Sequence, residues 1–179
     1  MSTALIVVDV QVDFCEAGAL GVEGGNAVAA AVARLLAGDH GYARVVATRD
    51  HHVDPGAHFS DDPDYVDSWP RHCVVGTPGQ QLHPALAGVG FDAVFDKGSY
   101  EAAYSGFEGT ADGILLGDWL HERDVAYSWG EADDGRIAEA GDEMAVVDDQ
   151  RGAAEAGDAL ADGRHHRLAG GSDLEDRAV

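Results

Sequence analysis

A single lysine, Lys97, stands among 179 residues that hold ten arginines. Cysteine is almost as scarce: the chain has Cys15 and Cys73 and none after them. Positive charge is short overall, with 11 Lys and Arg against 33 Asp and Glu and a formal net charge of −22. That deficit argues against nucleic acid and against anionic membrane surfaces as partners, since both require clustered Lys and Arg. Two cysteines make no disulfide framework, and free thiols in a reducing compartment are expected. Long apolar runs are missing too. "ALIVVDV" is too short to span a bilayer, and no basic segment precedes it. The expected setting is the cytoplasm and the expected partner a small molecule, while oligomeric state is not legible.

What the chain does have is an ordinary apolar fraction of 45% and a regular alternation of patterns. "ALIVVDV" (4–10) and "ARVVATRD" (43–50) are continuous apolar runs ending in an acid, which suits strands buried on both faces. "FDAVFDKG" (91–98) is a third, shorter one. "GNAVAAAVARLLAG" (25–38) has helical spacing and helix-favouring alanines. "DGILLGDWLHERD" (112–124) reads as a second helix through Ile114, Leu115, Trp119 and Leu120. Strand, helix, strand, long loop, strand, helix predicts an α/β fold with a parallel sheet. The loop 51–90 is rich in proline and histidine, and a loop of that length is usually functional. Ligands in such sheets lie beyond the carboxyl ends of the strands, which directs attention to Asp9, Asp50 and Lys97.

Three groupings have chemistry in them. Asp50 and His52 are two apart at a strand end and so leave on one side, with His58 and His72 further along. One carboxylate and three imidazoles suit a divalent transition metal; a solvated histidine-rich loop is the other reading of the same residues. Asp9 and Lys97 are either a buried ion pair or an acid–base pair in which the lysine stabilises a nearby anion. Phe14, Trp69, Tyr104 and Phe107 either pack the core or line a pocket for a flat ring.

The segments "IVVDVQVDFC", "VVATRDHHVDPGAHFS", "SWPRHCVVGTPG" and "VFDKGSYEAAYSGFEG" together resemble the nicotinamidases (pyrazinamidases) of the isochorismatase-like cysteine hydrolases, over roughly residues 3 to 125. The metal-site stretch separates nicotinamidases from isochorismatases, which typically lack it. The resemblance implies a three-layer α/β/α fold around a parallel sheet. It also implies hydrolysis of nicotinamide, a small aromatic amide, to nicotinate and ammonia in NAD salvage. By the same resemblance Asp9 is the triad acid and Lys97 the triad lysine. Asp50, His52, His58 and His72 match the metal ligands, for iron, zinc or manganese. Phe14 and Trp69 match the rings that hold the pyridine, and Tyr104 lies near the pocket.

One part of that pattern is missing. In this family a nucleophilic cysteine follows the fourth strand, which here would come after the helix ending near Asp124. The chain reads "VAYSWGEADDGRIAEAG" instead. Residues 126–179 hold seven Ile, Leu, Val or Phe, 14 acids and five arginines. Such a composition predicts an irregular or disordered segment, with one short strand in "EMAVVDDQ" (143–150). The expected division is therefore a nicotinamidase-like domain over 1–125 and an acidic tail over 126–179. A reading-frame shift near Val125 accounts for the abrupt change. A pseudoenzyme that keeps only the metal site is the alternative, and use of Cys15 or Cys73 as nucleophile is a third.

Overall fold

The computed structural model describes residues 3–125 and the backbone of a strand at Met144–Asp148. β1 (Ala4–Val8), β2 (Arg44–Asp50) and β3 (Ala93–Lys97) form where the apolar runs place them. A hairpin of β4 (Thr110–Ala111) and β5 (Ile114–Leu115) follows, and then β6 (Met144–Asp148). The sheet order is β5-β4-β3-β2-β1-β6. β6, β1, β2 and β3 are mutually parallel, whereas β4 and β5 add an antiparallel edge, so the sheet is mixed. β6 is the short strand expected in 143–150. The remaining residues of the expected irregular tail, 126–143 and 149–179, lie outside the described residues.

β1 is buried along its whole length, and its alternate side chains feed two cores. Leu5 and Val7 pack with Val28, Ala29 and Val32 of α1 (Gly25–Leu36). Ala4, Ile6 and Val8 pack with Leu116, Trp119 and Leu120 around α2 (Leu116–His121). Helices thus cover both faces, as a parallel sheet requires, and the layers are α/β/α. Each fully buried Leu, Ile or Val contributes roughly 1.5–3 kcal/mol through removal from water.

The expected helix over 112–124 is shorter than the apolar spacing predicted. Asp112 and Gly113 have φ of 52° and 79°, and an Asp-Gly pair with both φ positive makes the tight turn of a two-residue hairpin. Ile114 and Leu115 are spent on β5, and α2 begins only at Leu116. β1 also ends early, because Asp9 takes a left-handed φ of 53°. Among the described residues no helix is long and apolar enough to cross a membrane.

Candidate active site and metal centre

The carboxyl ends of β1, β2 and β3 bring Asp9, Asp50 and Lys97 together. All three are buried. The Lys97 ammonium lies 3.0 Å from Asp9 Oδ2 and pairs with Asp50 Oδ1. Its third donor reaches the Ala103 carbonyl at 3.1 Å. Asp9 Oδ1 accepts a hydrogen bond from the Thr48 hydroxyl at 2.8 Å. Burial alone would lower the lysine pKa, but the two carboxylates outweigh it and hold the ammonium charged. Burial raises Asp9 above the usual carboxylate range despite Lys97. Burial works the same way on Asp50, yet the neighbouring His52 and His72 and the Lys97 ammonium prevail and keep it ionised.

The other oxygen of Asp50 faces the histidines. Asp50 Oδ2 is 3.4 Å from His52 Nε2 and 3.7 Å from His72 Nε2. Ligand atoms of His52, His58 and His72 all lie within 4.8 Å of one another, and all three residues are buried. Two backbone carbonyls set the tautomers. His52 Nδ1 is 2.6 Å from the Gly98 carbonyl and His72 Nδ1 is 2.7 Å from that of Pro70. A carbonyl only accepts, so each Nδ1 carries the proton, and in the neutral ring Nε2 presents a lone pair to the cluster. Among the described residues, His52 Nε2 and His58 Nδ1 are buried without a hydrogen-bond partner. Burial, then the neighbouring His52 and His72, push His58 down to about 4, so that ring is neutral at physiological pH. Lone pairs converging beside a carboxylate repel unless a cation sits among them. The donor set of imidazole nitrogens and one carboxylate oxygen, with the His52 and His72 rings each held from behind by a carbonyl, fits a divalent transition metal.

Aromatic rings enclose this cluster. Phe14 lies 5.5 Å from His72 and is buried. Phe59 meets His52 at 5.1 Å and His72 at 5.3 Å, with the Arg71 guanidinium over its face. Tyr104 is 5.9 Å from His58 but 68% exposed, so it stands at the rim. Trp69 keeps its indole Nε1 buried and, among the described residues, without a hydrogen-bond partner, and its backbone N–H binds the His58 carbonyl at 2.8 Å. Phe107 instead packs against the α2 core. Phe59 was not anticipated from the sequence; its position directly after His58 in "GAHF" is the signal that could have found it.

A family model for the isochorismatase domain matches residues 3–114. The chain belongs to the isochorismatase family. It is 56% identical over 123 residues to the nicotinamidase/pyrazinamidase of Mycobacterium tuberculosis, which covers 68% of this chain and 66% of that protein. The chain therefore spans just under two thirds of that relative's length. Among solved structures, the zinc complex of Pyrococcus horikoshii pyrazinamidase superposes with a TM-score of 0.57 and 29% identity, covering 83% of this chain and 72% of that one. An L. infantum protein in complex with nicotinate gives 0.60 and 28%, covering 82% and 67%.

Within this isochorismatase-family chain, both cysteines are buried. The Cys15 thiol packs against the start of α1, where a Cβ on Gly25 would come within 3.2 Å of Sγ. Cys73 is fully buried in a left-handed conformation, φ 46°. Burial and then Asp50, Asp13 and Asp9 push its thiol pKa up. A nucleophilic thiol needs the opposite shift.

Proposed function

We propose that this chain carries the metal-binding and acid–lysine portion of a nicotinamidase-type amidohydrolase, one that converts nicotinamide to nicotinate and ammonia, and that it lacks the nucleophilic cysteine. The observation that carries this reading is the meeting of two groups on one carboxylate. Asp50 faces Lys97 with one oxygen and the histidine cluster with the other. The relatives named for nicotinamide or pyrazinamide hydrolysis, and the zinc and nicotinate complexes, support the same assignment.

In this reading Asp50, His52, His58 and His72 hold one divalent metal: iron, zinc or manganese. When bound, the metal supplies a Lewis-acid contact for the ring nitrogen of a small aromatic amide. Phe14 and Trp69 hold the flat ring, and Tyr104 borders the entrance. Lys97 keeps Asp50 ionised and would lower the pKa of a nearby thiol. Asp9, whose pKa is raised by burial, is the group suited to carry a proton to departing ammonia. The covalent step requires a thiolate at the amide carbon, and the sequence holds no cysteine after Cys73.

Purified full-length chain loaded with Zn²⁺ or Fe²⁺ is expected to retain metal after dialysis and to release little or no ammonia from nicotinamide. Turnover of 1 s⁻¹ or more, within the ordinary range of about 1–10³ s⁻¹, would overturn the missing-nucleophile reading. Loss of that turnover in Cys15→Ala or Cys73→Ala would then name the substitute. The alternative, a metal-binding remnant, is separated from a frame-shifted hydrolase by the gene. A cysteine codon following an apolar strand in another frame across codons 115–145 favours the frameshift, and its absence in all frames favours the remnant.

A further inference from the structure

The Gln11 side chain is fully buried, and nothing in the proposed chemistry uses it. Its position follows from how β1 ends. The β1–β2 ladder runs in register to Val8 and Thr48, and the Asp9 N–H still reaches the Thr48 carbonyl at 3.2 Å. In a parallel ladder, alternate residues direct their N–H and C=O to the same neighbour. Thr48 and Asp50 therefore both face β1, whereas the His51 N–H faces β3 and meets the Lys97 carbonyl at 2.8 Å. Past Asp9, however, the chain has turned away. The Val10 carbonyl and Val12 N–H bond instead to His83 and Gln81. The N–H and C=O of Asp50 would be left without a strand beside them in a buried place.

The Gln11 amide fills that gap as a peptide group would. Its Oε1 accepts from the Asp50 N–H at 2.8 Å, and its Nε2 donates to the Asp50 carbonyl at 2.9 Å. The second Nε2 hydrogen goes to the Gln80 carbonyl, also at 2.9 Å. Only this amide orientation satisfies all three bonds. A side chain thus extends the ladder by one residue, and that residue carries the carboxylate shared by Lys97 and the histidines.

We propose that Gln11 is a positioning residue that fixes the backbone of Asp50 and thereby sets the affinity of the histidine cluster for a divalent cation. The inference rests on the metal reading above. Gln11→Glu is nearly isosteric but sets a carboxylate oxygen against the Asp50 and Gln80 carbonyls. Binding of Co²⁺, followed by its visible absorption and by competition with a chromogenic chelator, is expected to weaken by about 10–100-fold, the usual range for groups that orient metal ligands. In an Asp50→Ala background the same substitution should cost little further affinity, because Gln11 acts through Asp50. Equal affinity in Gln11→Glu and the parent chain overturns the role of Gln11 while leaving the metal site standing. An equal loss in the Asp50→Ala background overturns it as well, since the effect is then general to the fold. Failure of the parent chain to bind Co²⁺ overturns the metal reading itself. If Gln11→Glu does not fold, the parent chain decides by NMR. The Gln11 side-chain NH₂ should exchange slowly and shift when Zn²⁺ is added, and fast exchange without a shift rejects the proposal.

Discussion

The two sides of the Asp50 carboxylate are built differently. On one side the lysine, two carboxylates, a threonine hydroxyl and a backbone carbonyl satisfy one another. On the other, three buried imidazoles face inward, and among the described residues two of their nitrogens have no hydrogen-bond partner. Buried polar groups are nearly always paired, so each orphan needs a cause. The lysine side is complete with protein atoms alone. Among the described residues nothing completes the histidine side, and its cluster of ring nitrogens suits a cation. Predictions that strike one side at a time separate a closed ion-pair network from an open ligand set.

The largest effect is expected from Lys97→Ala. It leaves Asp9 and Asp50 facing each other without their shared cation, and an uncompensated buried charge typically costs about 3–5 kcal/mol. Urea unfolding at pH 7 measures it. Added Zn²⁺ should recover part of the loss, since a cation among the histidines also neutralises Asp50. A loss below about 1 kcal/mol would mean that the lysine side is not the closed network described.

Gly98→Ala strikes the histidine side. Gly98 has φ 73°, and a Cβ there would come within 2.7 Å of His52 Cε1 and 3.0 Å of Nδ1. The left-handed backbone alone costs a non-glycine residue about 1–2 kcal/mol. The ring must also move off the carbonyl that sets its tautomer. Melting temperature should fall modestly, while affinity for Zn²⁺ falls by about tenfold or more. Unchanged affinity would show that His52 is not held for a ligand.

Much of this architecture was legible because parallel strands advertise themselves. Three apolar runs ending in Asp9, Asp50 and Lys97 could converge in only a few ways, and the same ends carry the polar cluster. The histidines were visible as residue types, but their tautomers depend on the Gly98 and Pro70 carbonyls, which no spacing rule reveals. Gln11 was invisible for a related reason. Its role exists only because β1 departs at Asp9, a left-handed turn at a residue that would ordinarily continue the strand. The hairpin before α2 was a different matter. Its Asp112-Gly113 turn signal was present, and the apolar spacing of the following residues outweighed it.

The smallest expected effect is the pH dependence of the metal-free chain, and it tests the openness of the histidine side directly. His58 has its pKa lowered to about 4, against about 6.5 for an ordinary histidine. A depressed histidine pKa means that the unfolded chain binds the proton more readily. The associated stability is complete above about pH 6.5 and is lost as pH falls toward 4. Discounted for solvent screening, the change between pH 7 and 5.5 should stay under about 1 kcal/mol. Saturating Zn²⁺ should steepen it, because the metal needs the unprotonated ring and protons compete for the same nitrogen. Thermal melts at both pH values, with and without Zn²⁺, read all four states. If stability without metal instead rises on acidification, His58 shares a proton with Asp50, and the cluster is as closed as the lysine side.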